Sequence, residues 1–437
     1  VMIYLSYMKI NNAHHLMLCL KALSALFLGC LLLAQPLRAE ILVPMDLSQN
    51  DHLKSYGLAW KVLKAGMNVE WLLNYRGGSF LFEDREVFRN EARRMGVTFQ
   101  SVGPDEVLAI HQQIESSNMD VMLLEKAPRV AVYSPPNTSP WDDAVTLALT
   151  YAEVEYKKVW DEDMLKDGLE GCDWLHLHHE DFTGQFSRFY NGYSERPWLH
   201  EEIEQTQEAA HAMGFQKVWQ LKHAVARRIA DYVRQGGFLF AMCLAAETLD
   251  IALAAGETDI VGPQADGDGV DPAAQSKLDF SKTMAFKDFR VELDPTVNSF
   301  SDIDGHQVNN PPLRKELGYF QLFQFAAKYD PVPSLLIQDH VDYLKDFYGQ
   351  STSFNRAVLK DSDTILGYEE GKPWVKYIHG NFGQGAWTFL GGHDPEDPEH
   401  RIGDPPTQLE LHRNSPGYRL ILNNLLFPAA RKKELKT

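Results

Sequence analysis

Cysteine is scarce in this sequence: four in 437 residues, two of which, Cys19 and Cys30, fall within the first 39. Only Cys172 and Cys243 lie beyond, which excludes a disulfide framework as the source of stability. The strand pattern puts Cys172 ahead of one parallel strand and Cys243 at the end of another. A strand of about five residues at roughly 3.3 Å each holds the two thiols too far apart for a bridge. No apolar run reaches the roughly 20 residues that a membrane-spanning helix needs. Apart from a short basic tail at Arg431-Lys432-Lys433, basic runs are missing as well, and so are internal repeats and low-complexity tracts. Beyond residue 39 the chain carries 39 basic against 60 acidic groups, a formal charge of −21. Such a surface repels phosphate backbones and anionic lipid, so nucleic acid is excluded as an expected partner.

What is present is enough apolar material for a large core, 44% hydrophobic and 11% aromatic residues, and a length that suits two or three domains. Residues 1–39 read as a secretory signal. Lys9 and Lys21 supply the positive region, Ala22 to Ala34 a short apolar stretch, and Ala39 a small residue suited to cleavage before Glu40. Reading from Met8 gives a more ordinary signal, and Cys30 offers a second, lipoprotein reading. The expectation is a periplasmic or secreted protein with no stable membrane span once the signal is removed.

Hydrophobic periodicity divides the remainder into an N-terminal β/α subdomain over 40–127 and a larger domain over 128–430. Ile41 to Met45 and Val69 to Asn74 read as strands, the second closed by Tyr75-Arg76-Gly77-Gly78. A helix capped from Ser48 to Asp51 joins them, and a helix near Arg85, a strand at Val97 and a helix from Asp105 follow. Such β/α alternation predicts parallel, helix-covered strands. After Pro128 the pattern restarts with strands at Arg129 to Tyr133, Lys157 to Trp160, Trp174 to His178 and Phe238 to Met242, and a long amphipathic helix from Val218. Residues 256–315 read as an insertion whose Asp266-Gly267-Asp268-Gly269 stretch is a solvated acidic loop, short of a calcium ligand set. Ala357 to Gly367, Trp374 to His379 and Ala386 to Leu390 read as strands, and Pro416 to Leu426 as a closing helix. The predicted fold class is α/β, a largely parallel sheet flanked by helices with an N-terminal β/α subdomain.

Ligands of open parallel sheets bind beyond the carboxyl ends of the strands, and three clusters fall there. Cys243 stands on a strand-to-helix turn, where the helix dipole and free amides lower a thiol pKa and Leu244 N–H faces an oxyanion. The run His176-Leu177-His178-His179-Glu180-Asp181 ends another strand, with His176 and His178 on one face. Gly392-His393-Asp394-Pro395-Glu396 follows the last long strand, where an imidazole with a carboxylate nearby serves a thiol as general base. Each has a plainer reading: Cys243 as a small buried residue, His178 and His179 as pocket histidines beside Glu180, His393 as a lock on the final loop. A zinc site would need His178, His179 and Glu180 with a distant partner such as His393; satisfied pocket histidines are preferred, and no cofactor is expected. Arg76, after a strand, is a candidate clamp for a carboxylate.

Gly236-Gly237-Phe238-Leu239-Phe240-Ala241-Met242-Cys243 with its following helix resembles the nucleophile strand of class I glutamine amidotransferase-like proteins. Gly383-Gln384-Gly385-Ala386-Trp387-Thr388-Phe389-Leu390-Gly391-Gly392-His393-Asp394 resembles the carboxy-terminal signature of their ThuA-like branch. The resemblance spans about Arg129 to Leu426 and implies a flavodoxin-like sheet with Cys243 as nucleophile, His393 as base and Glu396 as orienter. Two departures stand out: Ala241 and Ala245 occupy the usual glycine positions, and His393-Asp394-Pro395-Glu396 replaces a His-x-Glu spacing. The opening Ile41 to Phe80 resembles a poorly characterised bacterial family that carries the label asparagine synthetase B. No Ser-Gly-Gly-x-Asp-Ser ATP loop accompanies it, so asparagine synthesis is not expected. Three functions stand as expectations: a cysteine-dependent hydrolase acting on a small polar ligand (Cys243, His393, Glu396, with His178, His179, Glu180, Asp394 and Arg76 lining the site), a non-catalytic module for carbohydrate or another small ligand, and an envelope scaffold. The sequence is silent on oligomeric state.

Overall fold

Short apolar runs flanked by glycine and proline pair into two sheets in the computed structural model, which describes residues 39–135, 143–305, 318–330, 332–336, 341–398 and 404–430. The signal reading lies outside the described residues. The first sheet contains β1 (Glu40–Val43), β2 (Val69–Leu73), β3 (Ser79–Glu83), β4 (Gln100–Val102) and β5 (Asp120–Leu124) in the order β4-β1-β3-β2-β5. Every neighbouring pair is antiparallel, which corrects the expectation of parallel strands here. The cause is β3, which the sequence reading passed over. Gly77 and Gly78, both at positive φ (84° and 85°), turn the chain tightly after β2 so that β3 folds back on it. β1 and β2 do run the same way, as a helical crossover predicts, but β3 lies between them.

The second sheet has ten strands: β6 (Val130–Tyr133), β7 (Tyr156–Val159), β8 (Trp174–Leu177), β9 (Phe238–Met242), β10 (Tyr319–Leu322), β11 (Tyr343–Lys345), β12 (Phe354–Asn355), β13 (Thr364–Tyr368), β14 (Trp374–Phe382) and β15 (Gly385–Leu390). Their order is β11-β10-β13-β14-β15-β9-β8-β6-β7, with β12 on β14. Pairing is parallel from β15 through β9, β8 and β6 to β7 and antiparallel elsewhere. The sheet is therefore mixed rather than largely parallel, because β10 to β14 extend it by hairpin-type pairing.

Helices cover these sheets through the spacing their sequences carry. Val218–Arg234 buries Val218, Leu221, Val225, Ile229 and Val233 on one stripe. His52–Lys64 is capped by Asp51, which accepts from Lys54 N at 2.9 Å. Pro416–Leu426 is buried along most of its length and ties the two sheets together: Arg419 donates to Gly77 O at 2.6 Å and Asn424 O accepts from Trp174 Nε1 at 3.1 Å.

One further expectation needs correction. Residues 356–358 form a 3₁₀ turn, and the strand expected from Ala357 starts only at Thr364. Residues 256–305, within the stretch read as an insertion, pack into the core. Met284, Ala285, Phe286, Phe289 and Ile303 are core residues, and Asp250 of the helix Cys243–Ala255 accepts the N–H groups of Met284, Ala285 and Phe286 at 2.7–2.9 Å. Of the acidic stretch read as solvated, Asp268 is exposed but the Asp266 side chain is only 5% exposed; Lys217 Nζ lies 3.0 Å from Asp268 and 3.5 Å from Asp266, so the protein supplies its own cation there. Cys172 and Cys243 are both free. Among the described residues no helix is long and apolar enough to cross a membrane.

Candidate functional site

Strand register brings the three clusters to one rim. Leu177 of β8 pairs with Ala241 of β9, and Leu390 of β15 with Met242. His178, Cys243 and Gly391 therefore leave the sheet side by side. Val132 of β6 pairs with His176, and beyond β6 Asp143 caps the helix Ala144–Tyr151 by accepting from Val145 N and Thr146 N. The segment after β8 is pinned to the first turns of the helix Cys243–Ala255: Ala245 N donates to His178 O and Thr248 Oγ1 to Glu180 O, both at 3.0 Å.

Three imidazoles meet at this rim. The His178 ring centroid lies 4.2 Å from that of His393 and 5.1 Å from that of His179, and the latter two are 5.6 Å apart. Strand alternation would put His179 on the face opposite His178, but β8 ends at Leu177 and alternation stops with it. His176 and His178 do share a face, and both turn to Asp143. His176 Nε2 is 3.1 Å from Asp143 Oδ2 and its Nδ1 is 3.1 Å from Phe240 O, so both of its nitrogens face acceptors. His178 Nδ1 sits 3.0 Å from Asp143 Oδ1, within ion-pair reach but without the alignment of a hydrogen bond. His178 is fully buried and its Nε2 has no protein partner; an unmet buried polar atom costs about 1–3 kcal/mol. His179 Nδ1 is likewise buried and unmet.

Burial alone would raise the Asp143 carboxyl, but the His176 and His178 imidazoles more than offset it and hold Asp143 well below the usual carboxylate range. Burial lowers His178, with Asp143 opposing. Glu180 is raised, by burial first and by the Asp143 charge second, although its Oε2 accepts from His178 N at 2.9 Å.

Cys243 stands on the expected turn, in the left-handed region at φ 50°, where a non-glycine residue is strained. The thiol is 1% exposed and lies beneath the segment 346–353. A Cβ added to Gly349 would meet Cys243 Sγ at 2.7 Å and Gly392 Cα at 3.2 Å. That segment is laced to the third cluster through His393 N to Tyr348 O at 2.7 Å and Gly392 N to Ser351 O at 3.0 Å. Burial pushes the thiol up, against the N–H groups of Ser351, Gln350 and Leu244 and the Lys376 ammonium, all of which favour the thiolate. Lys376 is itself buried, 2.7 Å from Asp346. One turn on from Cys243, buried Glu247 accepts from Ser301 Oγ at 2.6 Å and Ser351 Oγ at 2.5 Å, and burial raises it to about 7.

Three sequence-predicted site residues are engaged elsewhere. Glu396, expected to orient His393, lies 3.0 Å from His412 Nδ1, beside a pocket formed with Asn50 and Ser415. Asp394 is buried and accepts from Glu396 N, Asp397 N, Thr407 Oγ1 and Tyr418 OH, so it locks the final loop onto the helix Pro416–Leu426. Arg76 does clamp a carboxylate, but the chain's own: its Nε is 2.7 Å from Asp46 Oδ2. The carboxylate that reaches the imidazoles is Asp143, absent from the sequence-based site. It lies ten residues beyond the end of β6, at the cap of the next helix, and so escapes the positional rule applied to β8, β9 and β15.

The fold and site thus define a mixed α/β protein with an imidazole-rich rim at the ends of its parallel strands. No family model matches the chain, and no curated protein matches it. Among solved structures it is similar to two Salmonella typhimurium proteins titled cytoplasmic protein. STM3548 is 12% identical over 70% of this chain and 100% of its own, with a TM-score of 0.33; STM1381, from strain LT2, is 10% identical over 69% and 100%, with a TM-score of 0.35. A beta-galactosidase from Bacillus circulans sp. alkalophilus is 10% identical over 61% of this chain and 29% of its own, with a TM-score of 0.24. At these scores none of the three bears on function.

Proposed function

We propose that this chain is an exported hydrolase-like protein of the class I glutamine amidotransferase-like fold, with a ThuA-like final strand, that works on a small polar ligand at the imidazole rim. Counted among themselves in chain order, the parallel strands β6, β7, β8, β9 and β15 lie in the order 2-1-3-4-5, which supports a flavodoxin-like reading with a ligand crevice between the first and third strands. Asp143 and His178 flank that crevice. The single observation that carries the reading is the convergence of His178, His179 and His393 beside Asp143, with Glu180 adjacent. Imidazoles so placed bind and polarise a small polar substrate, and the adjacent Glu180 carboxylate accepts a proton from attacking water. Asparagine synthesis is no part of the proposal.

A panel of chromogenic small esters, amides and glycosides tests it. Turnover that falls at least about 100-fold in His178→Ala and His393→Ala is the expected result, the scale of a lost general acid–base group. Undiminished turnover in both variants sinks the reading. Saturable binding of a sugar or other small ligand without turnover favours the binding-module reading of the same rim.

The thiol-based reading is favoured by one observation, the strained φ of Cys243 with three N–H groups facing its sulfur. Iodoacetamide at neutral pH separates the two: faster labelling of Cys243 than of half-buried Cys172 supports a nucleophile. Burial at 1% predicts the reverse order.

A further inference from the structure

We propose that His178, His179 and His393 together bind one divalent transition-metal ion, with zinc the best match, and that Asp143 is the outer carboxylate that orients His178. This names a cofactor for the rim and rests on the reading that the imidazole cluster is its chemical centre. One potential ligand nitrogen from each ring lies within 4.8 Å of the other two. In a formed tetrahedral zinc site with Zn–N near 2.1 Å, the nitrogens are about 3.4 Å apart. Small ring rotations would close that difference, and His179 is less buried than His178.

The second observation is the state of His178. Its ring is fully buried, one nitrogen faces Asp143, and the other, Nε2, has no protein partner. Histidine ligands commonly offer one nitrogen to the metal and turn the other to a carboxylate, which fixes tautomer and ring angle. His179 Nδ1, also buried and unmet, is a second donor at the same place. A competing grouping of Asp143, His176 and His178 serves better as the outer layer, because His176 already spans Phe240 O and Asp143 and Asp143 already caps a helix. Three imidazoles leave a fourth position for water or substrate, the arrangement of catalytic rather than structural zinc. Imidazole donors favour zinc, copper, nickel or iron over calcium and magnesium.

The test uses the full chain without a histidine tag, freed of metal by a chelator and titrated with zinc against a chromophoric chelator. One equivalent should bind. His178→Ala and His393→Ala should each weaken binding at least 100-fold, and Asp143→Asn by about 10–100-fold, with stoichiometry kept at one. His179→Gln, at the less buried ring, supplies a variant that does not open the core, and circular dichroism confirms that each variant is folded. Absence of a bound equivalent in folded wild type, or unchanged affinity in the histidine variants, overturns the site. Zinc binding without hydrolysis of the substrate panel supports the site while removing the hydrolytic reading. Hydrolysis by chelated protein that binds no zinc overturns the site and leaves that reading standing.

Discussion

Replacing Lys376 with methionine tests whether a buried charge pair holds the segment that covers Cys243. The Lys376 side chain is 1% exposed, its ammonium lies 2.7 Å from Asp346 Oδ1, and it donates to Phe347 O at 2.6 Å. Methionine keeps most of the volume and the unbranched stem, so packing changes little. What it removes is the counter-charge of Asp346, itself 0% exposed. Breaking a buried pair by deleting one partner costs about 3–5 kcal/mol, because the remaining charge stays desolvated. At roughly 2–4 °C per kcal/mol for domains of about 150–250 residues, that predicts a melting temperature about 6–20 °C lower. Urea denaturation with an unchanged slope would give the free energy directly. Adding Asp346→Leu should restore much of the loss, since the double variant has no charge left to bury. Iodoacetamide labelling of Cys243 should speed up in the single variant as the segment 346–353 loosens. A single variant within about 1 kcal/mol of wild type, or a double variant no better than the single, refutes the reasoning.

Glu247 predicts a pH effect of known sign. Its folded-state pKa is about 7, above the ordinary 4.5, because it is buried; Ser301 and Ser351 donate to it, Arg188 opposes the rise and Asp302 adds to it. Its contribution to stability is therefore fully present below about pH 4.5 and is lost as pH rises through about 7, a fall of roughly 3 kcal/mol. The stability difference between wild type and Glu247→Gln, measured by urea denaturation from pH 5 to 8, should shift in favour of the variant as pH rises; a flat difference contradicts this. Gly349→Ala should cost about 1–3 kcal/mol, because the added methyl group meets Cys243 Sγ at 2.7 Å, and a variant as stable as wild type would show that the segment does not press on the thiol.

The rim was legible in sequence because each contributing strand announces itself and stops at an identifiable place. Phe238 to Met242 is a continuous apolar run after Gly236-Gly237, and it forms β9 with the expected bounds. Helix Pro416–Leu426 begins with proline after a capping Ser415 and is found as read. The antiparallel first sheet was not legible, because β3 follows the Tyr75–Gly78 turn directly and has no turn of its own to mark it as a separate strand. Helix Pro197–Ala212 escaped because only Leu199 and Ala210 are buried, which leaves almost no hydrophobic period. Lys376 left a signal that went unread, a lone charge within Trp374-Val375-Lys376-Tyr377-Ile378, where a buried strand tolerates lysine only with a partner. That partner, Asp346, is 30 residues away along the chain, and no local rule joins the two. The same holds for Asp143 and His178, whose meeting depends on β6 and β8 being neighbours.

Crystals of the full chain grown with zinc, recorded at the zinc absorption edge, test the central claim most directly. The account predicts one anomalous peak bounded by the rings of His178, His179 and His393, within about 2.0–2.1 Å of a nitrogen on each. A peak at Asp266 and Asp268 alone, or three imidazoles that stay in place around no density, would contradict it.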